Sequence, residues 1–276
     1  DALNRAVDGD TIIIKGKAFA NAKEESGVTP LVISKRVTIT GENGTPSALY
    51  VRAGGIMLGA DVTMRDVELN LANKYHNAIF VNGYRFTAEN VTRGTGSREV
   101  HLFAGGIGTG TQVTATMPTS GSGAVLALTN STFGSIYAGG VASAFAGDVA
   151  VTASGCKLGA VYGSGAAERA PDGNWFDTTE PPAPEVNAAY SVTGPVNIAV
   201  DGASTVGGAY TVSVNGNGSS NTSLTINTAV ESKKLNLSNL KSLTINGGTA
   251  AVAAINETAD VTLNNNATIS FAGSKT

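Results

Sequence analysis

The residues best suited to acid–base chemistry lie between positions 61 and 89. The segment NKYHNA (73–78) places Lys74 and His76 after Asp61 and Asp66, and Glu89 follows them. A basic side chain near carboxylates could take a proton, and two carboxyl groups could flank a glycosidic bond as acid and base. If these five side chains converged in one groove, they would form a catalytic site.

The spacing of the acids favours a structural role instead. A 24-residue step stacks three pairs of side chains: Asp61 with Arg85, Arg65 with Glu89, and Asp66 with Asn90. Such pairs are typical of exposed neighbouring strands, whereas a calcium site needs six or more converging oxygens. The sequence contains no acid between Glu99 and Asp148. His101 aligns with Ala78 rather than with His76, which disfavours a two-histidine metal site.

A second set of candidate residues is aromatic. Five short segments, among them SIYAGG (135–140), place a small or polar residue, an aliphatic residue and an aromatic residue before glycine. Their aromatic residues are Tyr50, Phe80, Phe103, Tyr137 and Tyr162. Because side chains alternate across a strand, inward aliphatic residues would leave an outer ladder of rings that could stack against sugars. Alternatively, loops cover the rings, or the rings are the inward stack. We expect the glycines to mark sharp turns.

The spacing of strand-like segments predicts how these residues are positioned. Aligning Ile12, Val37, Val62 and Phe86 gives steps of 24–25 residues, and aligning Leu126 with Val149 gives 23. In the last third, SLTIN occurs at 223–227 and 242–246, and DVTLN follows at 260–264. Strands at such intervals, with almost no helical periodicity between them, predict a solenoid of parallel β-coils stabilised by stacked aliphatic residues and Asn/Thr ladders. The rival is a β-sandwich followed by a repeat domain.

One segment interrupts the repeat. Residues 168–187 contain four of the eight prolines and the only tryptophan, Trp175. Since proline cannot join a parallel ladder, we expect a loop or linker between coils at 1–167 and tighter coils at 188–276, which are continuous with the first set. Trp175 could grip a ligand at the tip of this loop or fold back onto the scaffold.

The N-terminal residues carry a resemblance. DALNRAVDGDTIIIKG predicts a short capping helix, with Leu3, Ala6 and Val7 on its apolar side, followed by a tight turn and a strand. Together with LVISKRVTITGENG and VTMRDVEL…NAIFVNGYRFTAENVT, it resembles the right-handed parallel β-helices of the pectin lyase-like superfamily, over about residues 1–165. FGSIYAGG and LGAVYGSG look like glycine-rich repeats of bacterial surface proteins and adhesins.

The resemblance implies a right-handed coil and two kinds of activity. Lyases of this superfamily hold calcium with several carboxylates and use a basic residue to remove a proton, and its hydrolases use grouped aspartates. Calcium is thus expected only if the chain is a lyase, and otherwise no cofactor is expected. A fold shared with enzymes is poor evidence for chemistry.

Composition narrows the function classes. Only 14% of residues are charged and the net charge is −3, which disfavours nucleic acid as a partner. No apolar run is long enough to predict a membrane-spanning helix. Cys156 is the only cysteine, so the chain forms no internal disulfide, and this composition suits a bacterial protein.

These observations favour a non-catalytic module of a bacterial surface or secreted protein. Its role would be adhesive or structural, with a polysaccharide or a host or bacterial surface protein held along a β face. The alternative is a polysaccharide lyase or glycoside hydrolase of the pectin lyase-like type. A third reading is that the chain is only a spacer.

Overall fold

The structure is a computed structural model. It describes residues 2–20, 30–51, 55–71, 77–94, 97–108, 119–168, 185–201, 204–206, 212–217, 221–227 and 234–271. Within these ranges the protein is all-β, apart from one short helix, α1 (Ala2–Arg5).

The strands are short and follow one another closely along the chain. In the first half they are β1 (Thr11–Ile14), β2 (Lys17–Ala20), β3 (Leu31–Ile33), β4 (Val37–Gly41), β5 (Ala48–Val51), β6 (Ile56–Leu58), β7 (Val62–Arg65), β8 (Glu68–Leu71), β9 (Ala78–Phe80), β10 (Arg85–Glu89), β11 (Thr92–Arg93), β12 (His101–Phe103), β13 (Gly123–Thr129) and β14 (Ile136–Tyr137). In the second half they are β15 (Asp148–Ser154), β16 (Lys157–Leu158), β17 (Val161–Tyr162), β18 (Ser164–Ala166), β19 (Val186–Ser191), β20 (Val196–Asp201), β21 (Thr205–Val206), β22 (Val212–Asn215), β23 (Thr222–Asn227), β24 (Lys234–Ser238), β25 (Ser242–Asn246), β26 (Thr249–Asn256), β27 (Asp260–Asn264) and β28 (Thr268–Phe271).

These strands assemble into three long parallel sheets. Sheet A has the order β1-β4-β7-β10-β13-β15-β20-β23-β25-β27, sheet B the order β11-β8-β5-β2, and sheet C runs from β28 through β26, β24, β22, β17, β14, β12, β9 and β6 to β3. In the first four passes the chain visits A, B and C in turn, and each strand pairs with the equivalent strand of the next pass. This arrangement is consistent with a parallel β-helix or solenoid.

The register in sheet A confirms part of the predicted alignment. Val37 pairs with Val62, and Val62 with Phe86, as the spacing predicts. Ile12, however, pairs with Ile39, and Leu126 pairs with Val151 instead of Val149. Both errors are shifts of two residues. Since side chains repeat with period two, such a shift keeps the same face inward and the hydrophobic pattern cannot detect it.

The C-terminal repeats also stack as predicted. Leu243 pairs with Leu224 on one side and Val261 on the other, so SLTIN, SLTIN and DVTLN form three neighbouring strands. The side chains of Asn227, Asn246 and Asn264 form a ladder, in which each Nδ2 donates to the preceding Oδ1 at 2.9 Å. The only antiparallel pair among the described strands is β18 with β19, and since β19 begins at Val186 it starts inside the predicted loop segment 168–187. Sheet A continues past that segment, because β15 pairs with β20.

The turn after sheet A is tight and is repeated from pass to pass. Four residues in this position have positive φ: Asp66 (52°), Asn90 (54°), Asn130 (48°) and Gly155 (63°). Asp, Asn and Gly are the residues that adopt this left-handed conformation most readily. In the first half the next strand begins two residues later, so this turn directs the chain from sheet A into sheet B.

A different property explains the glycines that follow the aromatic residues. Gly139 and Gly165 do not have positive φ, so a left-handed backbone is not the reason that glycine occupies these positions. A Cβ built on Gly139 would lie 2.5 Å from the Gly165 nitrogen and 2.5 Å from the Tyr190 carbonyl oxygen. Glycine is needed there because successive passes approach too closely to admit a side chain.

The N-terminal helix covers the first pass. Ala6, which directly follows the helix, is buried in the main core, and Leu3 packs against that core. The Lys35 Nζ donates to the carbonyl oxygens of Asn4 and Ala6 at the end of the helix. Val7, predicted to share the apolar side, is 62% exposed; the helix ends at Arg5, so Val7 no longer follows its periodicity.

Candidate functional site

The predicted catalytic residues do not form one described cluster. Asp61 precedes β7 and accepts a 2.9 Å hydrogen bond from the Arg85 backbone N–H, while Asp66 follows β7 and accepts one of 2.8 Å from Asn90 Nδ2. At about 3.3 Å per residue, opposite ends of this strand hold the two carboxylates more than ~10 Å apart. Glu89 pairs with Arg65, as the spacing predicts. Lys74 and His76 lie outside the described residues.

The surroundings of His101 indicate a structural role rather than a catalytic one. It pairs with Ala78, as the alignment predicts, and its side chain is buried. Its Nδ1 accepts a 3.0 Å hydrogen bond from the Ser135 backbone N–H, and its ring lies edge-on to Tyr137. Among the described residues, no group of three or more His, Cys, Asp or Glu side chains could hold a metal ion.

The cysteine and the buried tyrosine are poorly placed for nucleophilic chemistry. Cys156 is 1% exposed, and its Sγ donates to the Ser154 carbonyl oxygen at 3.3 Å. Burial raises the pKa of the Cys156 thiol, which disfavours the reactive thiolate. Burial likewise raises the pKa of the Tyr137 hydroxyl, and the nearby Tyr162 adds to the effect.

The predicted aromatic ladder exists in sheet C, but it is covered. Phe80, Phe103, Tyr137 and Tyr162 stack in order, with centroids 5.4, 4.5 and 5.1 Å apart. The first three are fully buried, so the expectation of an open ladder that stacks against sugars does not hold for them. Their partners in a second apolar cluster include Ile107 and Val141, which lie in the connections after these strands, and Ala166 at the end of β18. Tyr162 is half-buried at the end of the row.

Tyr50 belongs to another sheet. The residue that pairs with Phe80 is Met57, while Tyr50 lies in β5 of sheet B, between Phe19 and Asn70. The expectation that Tyr50 is part of the ladder is therefore wrong. The error arises because strands of sheets B and C share the same order of small, aliphatic and aromatic residues. Trp175 lies outside the described residues.

The outer face of sheet B presents an aromatic platform that the sequence pattern did not reveal. Phe19 is 57% exposed, and its ring stacks on that of Tyr50 with centroids 4.9 Å apart and planes inclined by 20°. The Lys17 Nζ lies 6.0 Å from the centroid of the Tyr50 ring, at the outer limit of a cation–π contact. The sequence feature that could have indicated this strand is the alternation of Lys17, Ala18, Phe19 and Ala20. It was missed because residues 21–30 separate β2 from β3 and interrupt the regular spacing of the strands.

A groove lined by both polar and apolar residues lies beside this platform. Its volume is about 350 Å³, within the range of small-ligand sites. Its walls include Lys17, Tyr50, Asp66, Glu68, Asn90 and Thr92.

The acids of the groove are held by neighbouring amides. Asn70 Nδ2 donates to Glu68 Oε1 at 2.9 Å, and Asn90 Nδ2 donates to Asp66 Oδ1 at 2.8 Å. These bonds fix the carboxylates while each keeps acceptor capacity for another donor, since an ionised carboxylate has about four acceptor positions. The groove therefore combines the half-buried Tyr50 ring, a cation and fixed acceptors, and the exposed Phe19 ring lies beside it on the outer face of sheet B.

Comparison with protein-family models, curated proteins and solved structures finds no match for this chain. The described residues contain no helix long and apolar enough to cross a membrane.

Proposed function

We propose that this chain is a right-handed parallel β-helix that serves as a non-catalytic module of a bacterial surface or secreted protein and binds polysaccharide on the outer face of sheet B. The regular return of the chain from sheet C to sheet A supports the coil, and the strong right-handed preference of parallel β-crossovers supports its hand. The pectin lyase-like resemblance of the first 165 residues agrees with both.

The observation that carries the binding proposal is the stacked pair of Phe19 and Tyr50 beside the groove. An exposed ring on a rigid sheet presents a flat apolar surface with little conformational entropy to lose, which suits the apolar face of a sugar ring. Glu68 and Asp66 can accept hydrogen bonds from sugar hydroxyl groups, and Lys17 can donate one. A host or bacterial surface glycoprotein could present the same chemistry.

The alternative function is a polysaccharide lyase or glycoside hydrolase. It is favoured by the presence of Asp66, Glu68 and Lys17 in one groove. Against it, each carboxylate already accepts a hydrogen bond from an asparagine, and two carboxylates supply only part of the oxygen shell that calcium requires.

One experiment separates the two functions. The chain is incubated with plant, host and bacterial polysaccharides, with calcium and with a chelator. Retention is measured by affinity electrophoresis, and released oligosaccharides by mass spectrometry. We expect retention by at least one polysaccharide without released products, independent of calcium. Unsaturated or shortened products would establish the enzyme instead, and neither retention nor products would refute polysaccharide binding.

A further inference from the structure

The connection between β4 and β5 is longer than the equivalent connection in the next pass. Residues 42–47 join these two strands, whereas residues 66–67 alone join β7 to β8. Because each pass of a solenoid contacts only its neighbours, the extra residues extend beyond the positions that an equivalent residue of the next pass can meet. Asn43 and Gly44, at the tip of this connection, are exposed.

The tip has the features of a type II turn. The Thr45 backbone N–H donates to the Glu42 carbonyl oxygen at 3.2 Å, and Gly44 has a φ of 75°. This turn requires positive φ at its third residue, which glycine adopts without steric cost. A Cβ built on Gly44 would meet no atom within 4 Å. In the part of the chain that the structure describes, the Gly44 N–H donates no hydrogen bond.

An exposed Asn-Gly pair with a free glycine N–H can modify itself. The glycine nitrogen attacks the side-chain carbonyl carbon of asparagine, its proton passes to solvent, and the Nδ2 group leaves as ammonia. Water then opens the resulting cyclic imide. Cleavage of the bond to the side-chain carbon gives aspartate, and cleavage of the bond to the main-chain carbonyl carbon gives isoaspartate. The net reaction consumes water, releases ammonia and needs no oxidant or other co-reactant.

The chain offers an internal comparison. Its sequence contains five Asn-Gly pairs, and the structure describes both residues of four of them. In three of these four, a neighbouring pass holds the glycine N–H at 2.9–3.0 Å: Gly83 donates to the Ala104 carbonyl oxygen, Gly216 to that of Ser238, and Gly247 to that of Asn264. Their asparagine side chains, those of Asn82, Asn215 and Asn246, also form hydrogen bonds. Attack by these nitrogens requires the passes to separate locally first.

We propose that Asn43 is a self-modification site, at which the folded chain is converted slowly to aspartate and isoaspartate without an enzyme. Either product adds a negative charge beside Glu42, whose Oε1 lies 2.9 Å from Lys15 Nζ. Isoaspartate also adds a carbon atom to the main chain of the turn, and Thr45 and Ser47 of the same connection line the groove beside sheet B. The turn that borders the groove therefore changes in charge and shape as the protein ages. This inference does not depend on polysaccharide binding.

Peptide mapping of the aged chain tests the proposal directly. The full chain is incubated at mildly alkaline pH, both folded and unfolded in denaturant. Samples taken over time are digested and analysed by mass spectrometry, and isoaspartate is detected by labelling with an isoaspartate methyltransferase. In the folded chain, Asn43 should react at least about tenfold faster than each of the three paired asparagines, which must wait for local opening. In the unfolded chain all four should react at similar rates.

The variant Asn43→Gln is the control. It keeps a side-chain amide but places the carbonyl carbon one bond further from the Gly44 nitrogen, so cyclisation is slower and modification of this peptide should no longer accumulate. Circular dichroism checks that the variant is folded. An Asn43 that stays intact in the folded chain for as long as Asn82 would overturn the inference. Equal rates for all four pairs in the folded chain would also overturn it, because hydrogen bonding of the glycine N–H would then not control the reaction.

Discussion

The ring of Phe19 stacks on the ring of Tyr50 across neighbouring strands of sheet B, and 57% of Phe19 is exposed. Sheet C contains a similar row, from Phe80 to Tyr162, but connecting segments cover most of it. The same local pattern thus gives a buried row in one sheet and an open platform in another. The difference lies in what packs above each row, and this places the proposed binding surface on sheet B.

The buried aromatic ladder of sheet C should contribute to the stability of the fold rather than to ligand binding. Phe103→Ala removes a fully buried ring that stacks between Phe80 and Tyr137. We expect a loss of about 3–5 kcal/mol in the free energy of unfolding, from lost burial and the cavity left behind. Denaturant unfolding measures the loss. The affinity of the folded protein for polysaccharide should not change. A loss of affinity in the folded variant would indicate that the aromatic ladder of sheet C takes part in binding.

A side chain at Gly139, which follows strand β14, should destabilise the fold. Gly139→Ala would place a Cβ 2.5 Å from the backbone of Gly165 and Tyr190, so the passes must separate. The expected destabilisation is about 1–3 kcal/mol, typical of overpacking. Gly123→Ala is the control, because its Cβ would lie at an ordinary 3.4 Å from the Asp148 carbonyl oxygen. Equal unfolding midpoints for the two variants would refute the close-approach explanation.

The asparagine ladder should contribute measurably to the C-terminal passes. Asn246→Ala removes both the bond to Asn227 and the bond from Asn264. Since the ladder is partly exposed, we expect a loss of about 1–2 kcal/mol. Thr244→Ala, on the same strand, leaves the ladder intact and should cost less. Hydrogen exchange of the β25 and β27 amides, compared between the variants, tests whether the effect is local.

Asp201 should make stability depend on pH. Partial burial acts to raise the pKa of this carboxyl, but hydrogen bonds from Ser154, Ser204 and the Gly155 N–H outweigh it, and the pKa is lowered overall. A carboxyl with a lowered pKa in the folded state stabilises that state above its unfolded pKa of about 3.9. This contribution is lost as the pH falls through the folded value.

The variant Asp201→Asn isolates the contribution of Asp201, because all other acidic residues are present in both the variant and the unmodified chain. The stability advantage of the unmodified chain over the variant should be present at neutral pH and should shrink below about pH 4. Denaturant unfolding at a series of pH values measures it. An advantage that did not change with pH would show that the ionised carboxylate is not what these donors stabilise.

Much of the sheet architecture could be predicted from the sequence. Parallel stacking and the contact of Asp66 with Asn90 follow from regular spacing, because equivalent residues of successive passes must lie side by side. The exact register of Ile12 and Leu126 could not be predicted, since a shift of two residues preserves the inward face. Local pattern also could not assign Tyr50 to sheet B rather than to sheet C.

The site was less predictable for two physical reasons. Whether Phe103 is open or covered depends on residues such as Ile107 and Val141, which lie outside regular strands and carry no periodic signal. Phe19 becomes a platform only when β2 pairs with β5, and the long connection after β2 breaks the regular spacing that would have revealed this pairing.

The most direct test of the central claim is the effect of Phe19→Ala on affinity for the polysaccharide that the chain retains most strongly. Isothermal titration calorimetry of the purified chain measures it, with Ile13→Ala as control, because Ile13 is another exposed apolar residue, in sheet A and outside the groove. The account predicts at least about tenfold weaker binding for Phe19→Ala, equivalent to about 1.4 kcal/mol, and unchanged binding for the control. Equal affinities for Phe19→Ala and the unmodified chain would contradict it.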